Sequence, residues 1–113
     1  MRFFRAQRVQ KLIREELGKI ILKEIEFPVG SLATVLDVAV DKKLELAKVR
    51  VSALPSSAAA DILARLGKAA GRLQYLLMKK INIKPMPRIY FELDRGPENA
   101  AAVEKLLIED NNK

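Results

Sequence analysis

The chain has 113 residues, half of them apolar, and a formal net charge of +7. That length specifies one domain with a modest core. Neither cysteine nor histidine is present, which excludes disulfides and cysteine-based zinc sites and removes the commonest general base. No apolar run reaches the length of a membrane span. Met1-Arg2-Phe3-Phe4-Arg5 is not followed by the long apolar stretch of a signal peptide, so a cytoplasmic protein that meets no membrane is expected.

Residues 5–25 predict an amphipathic helix. Val9, Leu12, Ile13, Leu17, Ile20 and Ile21 recur at helical spacing, with Arg8, Lys11, Glu15 and Lys19 opposite and Gly18 near that exposed side. Pro28 and Gly30 end it. A β-hairpin follows. Thr34 to Val40 alternates, placing Leu36, Val38 and Val40 on one face, and residues 41–45 make the turn. Leu46 to Leu54 alternates again, with Ala47, Val49, Val51 and Ala53 inward and Lys48, Arg50 and Ser52 outward. Pro55-Ser56-Ser57 reads as a stop followed by a serine N-cap, with Asp61 in the first helical turn.

A long helix then runs to about Lys80. Gly67 and Gly71 lie within five residues of each other, and a helical glycine costs about 1 kcal/mol relative to alanine. The pair predicts a kink at Ala69-Ala70-Gly71, with close packing or unusual backbone angles at Gly71. Pro85 and Pro87 keep the next segment extended. Arg88 to Leu93 is a third strand, with Ile89, Phe91 and Leu93 inward and Arg88, Tyr90 and Glu92 outward, and a short helix spans roughly 98–108. The order α-β-β-α-(kink)-α-β-α describes an α+β two-layer domain over residues 1–113, ordered from about 5 to 108. Its three-stranded sheet carries helices on one face.

The positive charge is segregated. It lies in residues 1–25 and in 56–90, where Asp61 is the sole acidic side chain, while 91–113 is net acidic. This distribution points to nucleic acid. Arg65, Lys68 and Arg72 flank the expected kink, where loosened N–H groups and cations together would suit a phosphate backbone. Lys79 and Lys80 extend that set, and Arg5, Arg8, Lys11 and Lys19 of the first helix form a second. The outward sheet face has Tyr90 as its aromatic and reads as a solvated surface. Asp37, Asp41, Asp61 and Asp94 are scattered, and no nucleophile–base pair, phosphate-cradling loop or metal cluster is visible. No enzymatic activity, cofactor, metal or small-molecule substrate is expected.

Arg8-Val9-Gln10-Lys11-Leu12-Ile13-Arg14-Glu15-Glu16-Leu17 resembles the opening helix of the ribosome-binding factor A family. Thr34-Val35-Leu36-Asp37-Val38 and Leu46-Ala47-Lys48-Val49-Arg50-Val51-Ser52 resemble its hairpin. Ala69-Ala70-Gly71 resembles its Ala-x-Gly kink, and Pro87-Arg88-Ile89-Tyr90-Phe91 with Asp94 its last strand. At the turn after the first helix the family usually carries Asp-Pro-Arg, where this chain has Phe27-Pro28-Val29. The resemblance implies a type II KH-like fold, with the third strand beside the first. It also implies a monomeric ribosome-assembly factor that binds the immature small ribosomal subunit through its rRNA. Such a factor assists late rRNA maturation, often in the cold. The alternatives are a general KH-like RNA-binding domain and a protein-interaction domain not tied to the ribosome.

Overall fold

The computed structural model of the protein describes residues 2–94, and the side chains of 5–94. Helix α1 spans Arg2–Glu24, strand β1 Leu32–Val40 and strand β2 Leu46–Leu54. Helix α2 follows at Ala59–Lys80 and strand β3 at Arg88–Asp94. The helix expected over 98–108 lies outside the described residues.

The apolar periodicities assemble one core between the two helices and one face of the sheet. Helix α1 contributes Val9, Ile13, Leu17, Ile20 and Ile21, and α2 contributes Ile62, Leu66, Leu73 and Leu77. Val38, Ala47, Val49, Val51 and Ile89 meet them from the sheet, and Phe91 and Leu93 pack half-buried at the margin. Leu12, expected on the apolar face, is 41% exposed. It lies on the flank of the α1 stripe, beside Arg8 and Asn82 rather than over the sheet.

Four further expectations are corrected. Leu36 is not part of the core. A β-bulge falls between Val35 and Asp37, so Val35 pairs with Val51 and Val38 with Val49. Inserting one residue shifts the alternation, and the core side of the strand passes from Val35 to Val38. The serine cap is also absent. A 3-10 turn over Ser56–Ala58 precedes α2, and Ala58 occupies the N-cap position with no side-chain cap. The Ala58 N–H is satisfied instead by the Pro55 carbonyl at 2.9 Å.

The third strand does not lie beside the first. The sheet order is β1-β2-β3, with β2 antiparallel to β1 and parallel to β3. Helix α2 carries the chain across one face and returns it in the same direction, as a parallel pair requires. The Val40 end of the outer edge of β1 is held by α1, whose Gln10 Oε1 accepts the Val40 N–H at 3.0 Å. At the opposite edge Gln74 of α2 clasps β3. Its Oε1 accepts the Ile89 N–H at 2.8 Å, and its Nε2 donates to the Pro87 carbonyl at 2.9 Å.

Finally, α2 runs unbroken through Ala69-Ala70-Gly71, so the two helical segments are one. Gly67 and Gly71 are exposed, with no positive φ, and a Cβ built on either meets nothing within 4 Å. Neither close packing nor unusual backbone requires glycine at these positions. Gly71→Ala should therefore stabilise the domain by about 1 kcal/mol, read as a higher melting temperature. A lower one would mean that the position is constrained after all.

The hairpin turn is held by one carboxylate. Asp41 Oδ1 accepts the Glu45 N–H at 2.7 Å and the Leu46 N–H at 3.0 Å, and Leu44 takes a left-handed φ of 59°. The Leu46 N–H foremost holds the Asp41 carboxyl below its ordinary range; desolvation opposes it, and the N–H groups of Glu45 and Asp41 and the charge of Lys43 add to the lowering. A lowered folded pKa gives stability that is present above the unfolded value, near about 3.9. It is lost as pH falls through the folded value. Acidification below about pH 4 should thus weaken the hairpin, and Asp41→Asn should remove this acid sensitivity. Amide exchange at Glu45 and Leu46 across that window tests it.

Candidate nucleic-acid interface

The outer surface of the helical layer carries the cations, and their partners sort them into two groups. Arg65 is tied down. Its Nε donates to Asp61 Oδ1 at 3.0 Å, and its Nη1 donates to the Glu26 carbonyl at 2.6 Å. Arg72 reaches across to α1, where Nε and Nη2 lie 2.9 and 2.7 Å from Glu24 Oε1. Both arginines fasten α2 to α1 and to the loop that follows it. Exposed pairs of this kind add little stability, about 0–1 kcal/mol each, but their charge is already compensated.

Lys68, Lys80, Arg8 and Lys11 are exposed and have no ion-pair partner among the described residues. Lys79 lies 4.7 Å from the centroid of the Tyr75 ring, a cation–π contact that leaves its charge uncompensated. Lys19 has a loose 3.6 Å pair with Glu16 and is 74% exposed.

Tertiary structure gathers only some of these. The helices pack antiparallel, with Glu24 beside Arg72 and Lys19 near Lys80. Two adjoining hollows along the α1–α2 seam are lined by Lys19, Lys23, Lys79 and Lys80 over an apolar floor of Ile20 and Leu76, with Glu16 and Glu24, the partners of Lys19 and Arg72, at their edges. The seam continues past the end of α2 to Arg5, Arg8 and Lys84, which border a third hollow. Lys11 lies apart, with Arg14, on the β1 side of α1. The centre of the cationic band is therefore the C-terminal half of both helices and not the neighbourhood of Gly71. Cations there also complement the negative end of the α2 dipole.

Lys23, Tyr75 and Lys84 were not singled out from the sequence. Lys23 ends α1 close to Lys79 and Lys80. Tyr75 is 57% exposed, a flat ring beside that cluster. Its signal was present, since the i, i+4 stripe of Leu73 and Leu77 leaves position 75 on the other side of the helix.

The open sheet face has the opposite character. Arg50 donates twice to Asp37 Oδ2, at 3.1 and 2.7 Å, and Lys48 pairs with Glu92 at 3.4 Å. The Asp37 hydrogen bonds, then the charges of Asp37, Asp94 and Glu92, raise the Arg50 pKa above its ordinary value. Lys48 and Arg50 on this face are matched across the strands, whereas Arg88 at the start of β3 is exposed with no ion-pair partner among the described residues, and Tyr90 stands 45% exposed beside them. A polyanion therefore finds uncompensated charge on the helical side of the molecule. Among the described residues no group of three or more acidic side chains is placed to hold a metal ion, and no helix is long and apolar enough to cross a membrane.

A family model described as ribosome-binding factor A matches residues 5–107. The ribosome-binding factor A of Akkermansia muciniphila is 31% identical over 109 residues, covering 96% of this chain and 86% of that protein. The one from Ectopseudomonas mendocina is 33% identical over 116 residues, covering 96% and 90%. The crystal structure of ribosome-binding factor A from Thermus thermophilus is similar in fold, with a TM-score of 0.65 at 21% identity over 78% of this chain and 94% of that one. A homology model of the Thermus thermophilus factor, fitted into the cryo-EM map of its complex with the 30S subunit, gives a TM-score of 0.62 at 24% identity, covering 75% and 90%.

Proposed function

This chain belongs to the ribosome-binding factor A family, and from that premise we propose that it binds the small ribosomal subunit through rRNA and assists late rRNA maturation. It acts as a binding factor in the cytoplasm, without catalysis or cofactor, and its use in the cold follows from the same reading. The observation that carries the proposal is the cluster of cations along the α1–α2 seam, where Lys23, Lys79 and Lys80 have no ion-pair partner among the described residues, set against a sheet face on which Lys48 and Arg50 are paired. Phosphates seat on Lys19, Lys23, Lys79 and Lys80, with Lys68 along α2 and Arg8 beyond the seam. Arg65 and Arg72 hold the helices in place and contribute at the margin. Tyr75 offers a face on which an unstacked base can rest. Gly67 and Gly71 leave the α2 surface bare where the fold does not need it bare, so a sugar–phosphate backbone can approach the helix closely.

Sedimentation of the protein with purified small subunits through a salt series tests this. Co-migration at low salt that weakens steadily as salt rises is expected, because each neutralised phosphate releases counterions. Protein that stays at the top of the gradient at low salt overturns the proposal. Equal affinity for unrelated single-stranded RNA would make it a general RNA binder.

A further inference from the structure

The two edges of the sheet are treated differently along their length. Gln74 closes the start of β3, and Gln10 closes the end of β1 at Val40. The bulge at Leu36 and the charge of Asp37 interrupt β1 midway, both common ways of keeping an edge from pairing. Before the bulge, Leu32–Val35 has none of these devices. It carries no charge and no proline, and no described side chain bonds to its outward N–H and C=O groups.

This half-edge borders a groove of about 720 Å³ whose opposite wall is α1. Leu22 on that wall is 73% exposed, and Leu32 on the strand 56%. Gly18 sits between them, and a Cβ there would meet nothing within 4 Å. Packing does not ask for glycine in the middle of this helix, yet its missing side chain keeps the groove open. Three cations, Lys11, Arg14 and Lys19, and one carboxylate, Glu15, line it, and Lys11 and Arg14 have no ion-pair partner among the described residues.

We propose that this groove takes an extended acidic segment of a protein partner, added as a fourth strand along Leu32–Val35. The free edge supplies a ladder of main-chain bonds, the exposed leucines take the apolar side chains, and Lys11 and Arg14 take the carboxylates. Peptide is favoured over RNA because the lining holds no aromatic ring for a base to stack on. The groove adjoins the α1–α2 seam, sharing Lys19 and Leu22 with it, but its strand edge, Lys11 and Arg14 lie outside the seam, so the proposal stands whether or not the seam binds rRNA.

The test uses the full chain and a short synthetic peptide of alternating valine and glutamate, followed by amide exchange at Leu32–Val35. Parallel titrations use a valine–lysine peptide and oligouridylate. The valine–glutamate peptide should slow exchange at these amides and the valine–lysine peptide should not. Gly18→Leu should raise the melting temperature, since leucine is the better helix former. It should also weaken peptide binding by about tenfold, or roughly 1.4 kcal/mol. Arg14→Glu, which leaves the groove open, should shift preference toward the valine–lysine peptide. Absence of protection by the valine–glutamate peptide overturns the proposal. So does protection that survives unchanged in folded Gly18→Leu, or protection by oligouridylate alone.

Discussion

Replacing Lys23, Lys79 and Lys80 together by alanine should reduce small-subunit association more than any other surface change on this protein. The three lysines converge from two helices on one pair of hollows, are exposed, and have no ion-pair partner among the described residues. Each phosphate contact steepens the dependence of log K on log salt by about 0.7–0.9, so three lost contacts should flatten the slope by roughly 2–3. The fold should survive, because the core stripe of α2 is Ile62, Leu66, Leu73 and Leu77. The contrasting variant Arg65→Ala, Lys68→Ala, Arg72→Ala should flatten the slope by only about 1, since Lys68 alone among them is uncompensated. That variant should also melt lower, because it cuts the links to Glu26 and Glu24. Sedimentation across a salt series measures both. If the Arg65 set proves the more salt-sensitive, RNA contact is centred on the middle of α2 and not on the seam.

Leu66→Ala should be among the most damaging single substitutions in the core. Leu66 is fully buried on α2 within the core cluster. Such truncations cost about 2–5 kcal/mol, against a total stability of about 5–15 kcal/mol for a domain. The variant should unfold at a far lower denaturant midpoint with little change in slope. Leu12→Ala, at a site 41% exposed, should stay within about 0.5 kcal/mol of the parent. A Leu66→Ala variant as stable as the parent would mean that the sheet and α2 do not pack as described.

The cationic surface was legible in kind and less so in place. Charge segregation identified the two helices, and Lys19, Lys79 and Lys80 do lie together. Arg65 and Arg72 stood out because they flank two glycines, yet their guanidinium groups are spent on Asp61, Glu26 and Glu24. Glu24 is 48 residues from Arg72, and no local pattern announces such a pair. Lys23 went unnoticed for the converse reason, since its company comes from the far end of another helix.

Among the described residues, periodicity indicated the helices and strands and most of the side chains that face inward, Leu12 and Leu36 excepted, because burial of an apolar face repeats every 3.6 residues on a helix and every 2 on a strand. Net charge and its segregation were equally plain from composition. What the local pattern leaves open is how the elements meet. The parallel placement of β3 beside β2, the bulge that turns Leu36 out, the unbroken course of α2 past Gly71 and the clasps of Gln10 and Gln74 are set by through-space pairing. Each is a contest for backbone donors and acceptors that must be met once the layers close. Its outcome depends on residues tens of positions apart, so it exists only in the packed molecule.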